Sequence, residues 1–75
     1  MKELVEYIAK LIVTMPDAVV VTEETNSDGI LLKLRVADED RGRVIGRQGR
    51  VAQAMRTLLR VAAVRAGTRV QLEIL

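Results

Sequence analysis

The chain has 75 residues, enough for one domain whose single core leaves only a small net stability. It contains no Cys and no His, which excludes disulfides, thiolate or imidazole metal sites and histidine acid/base chemistry; its one aromatic residue is Tyr7. The net charge of +2 conceals a division: residues 1–40 carry four basic against nine acidic side chains, whereas residues 41–75 carry eight arginines against Glu73 alone.

The start Met1-Lys2-Glu3-Leu4 lacks the features of a secretory signal, and no apolar run reaches membrane-spanning length, so a cytoplasmic protein with no membrane partner is expected. The basic half predicts a polyanionic partner for one face. Arginine, its only basic residue type, forks onto phosphate and stacks on bases better than lysine does.

In chain order, Leu4, Val5, Ile8, Leu11 and Ile12 recur at helical spacing and predict an amphipathic helix over residues 2–14, ended by Pro16. The β-branched stretch Ala18 to Glu23 predicts a strand. Ile30, Leu32, Leu34 and Val36 alternate with Leu31, Lys33 and Arg35 and predict a second strand. Between the two, Thr25-Asn26-Ser27-Asp28-Gly29 has hairpin-loop chemistry, so these strands are expected to pair antiparallel.

Asp38, Glu39 and Asp40 suit the first turn of a helix, where the dipole and unpaired N–H groups favour negative charge. That helix is brief, passing through Arg43, Val44 and Ile45 to Gly46, which is placed to act as a left-handed cap. After Gly49 a long helix is predicted to Ala66, with Val51, Ala52, Met55, Leu58, Leu59 and Ala62 as its apolar stripe and Gly67 as its end. Val70, Leu72 and Ile74 alternate with Arg69, Gln71 and Glu73 as a third strand. The resulting order, α-β-β-α-α-β, describes one α+β domain over residues 1–75, a three-stranded sheet with three helices on one face.

Gly46-Arg47-Gln48-Gly49 joins the short helix to the long one. Glycines at both ends remove the Cβ atoms that block close approach, and the backbone N–H groups at the start of the long helix attract phosphate. Arg47 and Arg50 add charge, and Gln48 adds an amide donor. An isolated Gly-x-x-Gly equally describes a ligand-free helix corner; here it follows Val44-Ile45, has Arg43 and Arg50 on its flanks, and sits between a short and a long helix after a hairpin.

Through Val44-Ile45-Gly46-Arg47-Gln48-Gly49-Arg50-Val51 the chain resembles the KH domains. Its element order resembles their type II arrangement, and its length, first helix and ending Val70-Gln71-Leu72-Glu73-Ile74-Leu75 are similar to the small single-KH proteins of the KhpA family. The resemblance implies a cleft for about four single-stranded nucleotides, with the turn clamping the backbone and the bases over an apolar groove. It implies that Gly46, Arg47, Gln48 and Gly49 form the clamp, that Val44 and Ile45 face Val51, Ala52 and Met55 across the groove, and that Leu34 and Val36 supply its floor. Ala52 stands where many KH domains carry a large aliphatic residue, and the short connection Ala66-Gly67-Thr68 leaves little loop to add contact.

The functional expectation is a non-catalytic binder of single-stranded RNA, an RNA chaperone or post-transcriptional regulator without cofactor or metal. Tyr7 is expected at the core boundary rather than as a base platform, which disfavours stacking modules. Asp38, Glu39 and Asp40 read as helix-start residues rather than a magnesium site. The long helix is apolar almost all the way round at Leu58, Leu59, Val61, Ala62, Ala63 and Val64. Leu58, Val61 and Val64 with Arg65 form a candidate dimer interface, and the resemblance implies a homodimer or pairing with a larger KH-containing protein. The alternative reading is a protein-interaction module that dimerises through this helix, with weak or secondary RNA binding.

Overall fold

The computed structural model describes all of residues 1–75. Its elements are α1 (Lys2–Ile12), β1 (Val20–Asn26), β2 (Gly29–Arg35), α2 (Arg41–Ile45), α3 (Arg50–Ala66) and β3 (Val70–Ile74). Single 3-10 turns at Pro16–Ala18, Asp38–Asp40 and Arg47–Gly49 link them. The α+β layout and element order are those expected from the sequence.

Helix α1 stops two residues short of the predicted end: the Val13 N–H donates to Ala9 O, and Pro16 opens the 3-10 turn beyond. β1 and β2 pair antiparallel from Val20↔Arg35 to Asn26↔Gly29, and the Asn26 side-chain oxygen accepts from the Asp28 N–H at 2.8 Å to hold the turn. β3 lies on the other side of β2 and runs parallel to it, from Ile30↔Val70 to Leu34↔Ile74. The order β1-β2-β3 thus makes β2 the central strand and leaves β3 with a free edge.

One sheet face supplies the buried residues Val21, Leu32, Leu34 and Leu72. Against them pack Val5 and Ala9 of α1, Val44 of α2, and Ala52, Met55, Leu59 and Ala63 of α3. Those α3 positions follow the 3.6-residue repeat, whereas Leu58, predicted in the same stripe, is turned outward and 50 % exposed. Tyr7 also departs from expectation: it stands on the outer side of α1, 66 % exposed, because Val5 and Ala9 take the core-facing positions of that helix.

Candidate nucleic-acid interface

The short helix before the turn is anchored from a distance. Asp40, fully buried, does not cap α2; its carboxylate accepts from the Thr14 N–H (3.0 Å), the Thr14 hydroxyl (2.9 Å) and the Met15 N–H (3.1 Å). Arg43 Nε lies 3.6 Å from the same carboxylate. The Thr14 N–H foremost, then the Thr14 hydroxyl, the Met15 N–H and Arg43, hold the Asp40 carboxyl below its ordinary value against the opposing effect of burial. A link spanning some 26 residues therefore ties the α1–β1 connection to the start of α2, which fixes where the turn emerges.

The turn is more strained than a simple helix cap. Gly46 has φ +78° and ψ 169°, a region open in practice to glycine alone, rather than the left-handed helical geometry expected of it. A Cβ here would also lie 2.8 Å from the backbone nitrogen and Cβ of Val51, so this glycine is required twice over. Gln48 (φ 58°, ψ 25°) and Gly49 (φ 75°, ψ 14°) carry the left-handed conformation instead. Gln48 is the only non-glycine residue in the chain with positive φ. Strain of this kind costs on the order of 1 kcal/mol or more and concentrates at functional positions.

Around the turn, Arg43, Arg47, Gln48 and Arg50 are exposed. Arg50 donates to the Gln48 side-chain oxygen at 3.2 Å, which orients that amide and leaves its NH₂ group available as a donor. The Arg50 N–H is satisfied by Arg47 O, and the first N–H groups of a helix have no carbonyl one turn earlier in the helix to bond. Backbone donors, a side-chain amide and three nearby guanidinium groups at Arg43, Arg47 and Arg50 make a site for an anion approaching the glycines.

The residues expected to form an apolar groove divide. Ile45 is 38 % exposed, beside Gly46. Val51 is half-buried and packs against the core. Val44 (0 %), Met55 (2 %), Ala52 (3 %), Leu34 (0 %) and Val36 (6 %) are buried, so they support the turn from beneath and form no open apolar groove beside it. Burial wins at these positions because α2 is so short that Val44 must serve as its core contact.

A furrow that sequence reasoning did not identify runs between α3 and the free edge of β3. It has a volume of about 400 Å³ and is lined by Leu31, Arg56, Leu59, Arg60 and residues 70–73. Arg56 donates to Leu72 O through Nε (3.4 Å) and Nη2 (3.2 Å), covering part of the strand edge. Arg56 stands about 9 Å along the helix axis from Arg50, at the start of α3. The spacing of Arg56 and Arg60, one helical turn apart, was a visible signal; what they face depends on where β3 pairs. On the outer side of α3, Leu58 (50 %), Val61 (54 %), Val64 (74 %) and Arg65 are exposed together.

The family described as "KhpA/KhpB, KH domain" matches residues 2–74. The chain is 52 % identical to the RNA-binding protein KhpA of Clostridium acetobutylicum, and equally to that of Caldanaerobacter subterraneus subsp. tengcongensis, over the full length of each chain. It is 47 % identical to the RNA-binding protein KhpA of Treponema pallidum, with 99 % of this chain and 92 % of the relative covered. No solved structure matches the chain. Matched from its first helix to its last strand, and carrying a glycine-bounded turn between its two adjacent helices, the chain belongs to the KhpA/KhpB family of KH domains.

Proposed function

We propose that this protein is a non-catalytic binder of single-stranded RNA that acts in the cytoplasm as an RNA chaperone or post-transcriptional regulator. The turn Gly46–Gly49 grips the phosphate backbone, and the bases lie beside Ile45 and along the furrow between α3 and β3. The observation that carries this reading is the strained turn itself, with Arg47, Gln48 and Arg50 exposed around two glycines of positive φ. The names of the relatives, RNA-binding protein KhpA, support the choice of ligand. KH domains bind nucleic acid through a Gly-x-x-Gly loop that clamps the backbone of about four nucleotides.

The test is a titration of short single-stranded RNA into the wild type and an Arg47→Asp/Gln48→Asp variant at several salt concentrations. With about three phosphates neutralised, the wild-type log–log slope is near −2, at about −0.7 per contact. The variant binds more weakly and with a shallower slope. Equal affinities for the two proteins would refute the clamp.

A second reading rests on the exposed stripe Leu58, Val61 and Val64 with Arg65: the chain pairs through α3, with itself or with a larger KH-containing protein. Pairing would bury apolar surface that a small core leaves exposed. Light scattering of the wild type and Val61→Glu checks it, the variant showing half the mass of a wild-type homodimer. A wild type that is already monomeric removes self-pairing.

A further inference from the structure

Outside the turn, two arginines without a partner line one hollow. Arg35, the last residue of β2, and Arg41, the first of α2, line a depression of about 210 Å³ together with Val36, Asp38 and Leu75. Neither guanidinium is paired with Asp38, with the terminal carboxylate of Leu75 or with any other group of the chain. Their neighbour Arg43 shows the contrast, since it lies beside the Asp40 carboxylate. Two like charges brought to one concavity repel each other, and an anion between them relieves the repulsion.

The hollow is also in line with the turn. Arg41 and Ile45 are one helical turn apart and both exposed, so they share the outer side of α2, which leads directly to Gly46. The distance from Arg41 to Ile45 along the axis is about 6 Å. A strand held at the turn and continuing along α2 would bring its next phosphates to the hollow. Arginine suits that contact, because its planar fork donates two parallel hydrogen bonds to a phosphate.

We infer that the Arg35–Arg41 hollow is a second phosphate subsite, holding the RNA backbone beyond the nucleotides gripped at the turn. This rests on the RNA-binding reading above. It gives the chain a footprint longer than the clamp alone, and it makes Asp38, at the edge of the hollow, an opposing charge that weakens the subsite.

The experiment compares the wild type, Arg35→Gln/Arg41→Gln and Asp38→Asn with mixed-sequence tetranucleotide and decanucleotide RNA over a salt series. Thermal melts establish that each variant is folded. The double variant keeps wild-type affinity for the tetranucleotide and loses affinity for the decanucleotide. Its salt slope there is shallower by about 1.4, a loss of about 25-fold at 0.1 M salt for two contacts. Asp38→Asn binds the decanucleotide more tightly than the wild type.

Unchanged decanucleotide binding by the double variant overturns the inference while leaving the clamp intact. An equal loss on neutralising Lys10 and Arg69, exposed residues that belong to neither the turn nor the hollow, would mean diffuse attraction and also overturn it. Binding of inorganic phosphate at the hollow without a length-dependent loss would make it a small-anion site and overturn the RNA assignment. If the wild type binds neither RNA, or Arg47→Asp/Gln48→Asp binds the tetranucleotide normally, the clamp itself fails and the subsite with it.

Discussion

Replacing each glycine of the turn by alanine separates two kinds of backbone demand. At Gly49 (φ 75°, ψ 14°) an added Cβ meets no atom within 4 Å, so only the left-handed conformation is penalised, at about 1–2 kcal/mol. Alanine also stiffens the unfolded chain, which returns about 0.4–1 kcal/mol. The net cost of Gly49→Ala is therefore about 1 kcal/mol. At Gly46 the backbone lies in a glycine-only region, at a cost of about 1–3 kcal/mol. The added Cβ would also lie 2.8 Å from both the nitrogen and the Cβ of Val51, and overpacking of that kind costs about another 1–3 kcal/mol. After the same unfolded-state correction, Gly46→Ala costs about 3 kcal/mol, a large part of the stability of a domain this small. In thermal melts followed by circular dichroism, about 4–8 °C per kcal/mol separates the two: Gly49→Ala melts about 5 °C below the wild type and Gly46→Ala at least about 12 °C below. Urea unfolding should show the same order with unchanged m-values. A Gly46→Ala protein as stable as Gly49→Ala would refute both the conformation assigned to Gly46 and its close approach to Val51.

Asp40 should make stability depend on acid pH. Its folded-state value is depressed, so its contribution is fully present above the unfolded carboxylate value of about 3.9 and is lost as pH falls through the lower folded value. Acid titration of Asp40→Asn should therefore show lower stability than the wild type at pH 6 and a smaller loss below pH 4; parallel curves would remove Asp40 as the cause. Leu59, 1 % exposed and packed in the core, should cost about 2–5 kcal/mol on Leu59→Ala in urea melts, whereas Leu58→Ala on the exposed side should stay within about 1 kcal/mol in a monomeric sample. Arg56→Gln should reduce RNA affinity while thermal melts shift little, because Arg56 covers an exposed strand edge at the furrow; a large melting shift with unchanged affinity would make it a structural strut alone.

Much of the molecule is legible from local pattern. Period-two alternation marks β2 and β3, the 3.6-residue repeat marks α1 and α3, and Asn26 to Gly29 marks the hairpin, because each depends on residues that are neighbours in the chain. The glycine positions bounding the turn, and the stop at Gly67, are local for the same reason. The arginines of the second half were countable without knowing what they surround.

What only the tertiary structure decided involves groups far apart in sequence. The parallel pairing of β3 with β2 creates the free strand edge, and with it the furrow that gives Arg56 and Arg60 a common direction. Asp40 is indistinguishable in sequence from Asp38 and Glu39 as a helix-start carboxylate, yet it alone turns inward to the Thr14 and Met15 N–H groups. Val44 and Met55 resemble Ile45 and Leu58 in composition, and it is packing against the sheet that buries the first pair and exposes the second. The turn shows both sides of this division: its glycines announce positive φ locally, while the lack of room for a Cβ at Gly46 is set by where Val51 lies in α3, packed against the core. Backbone preference is a property of a few consecutive residues, but burial, strand partnership and close approach are set by whichever distant segment arrives to pack.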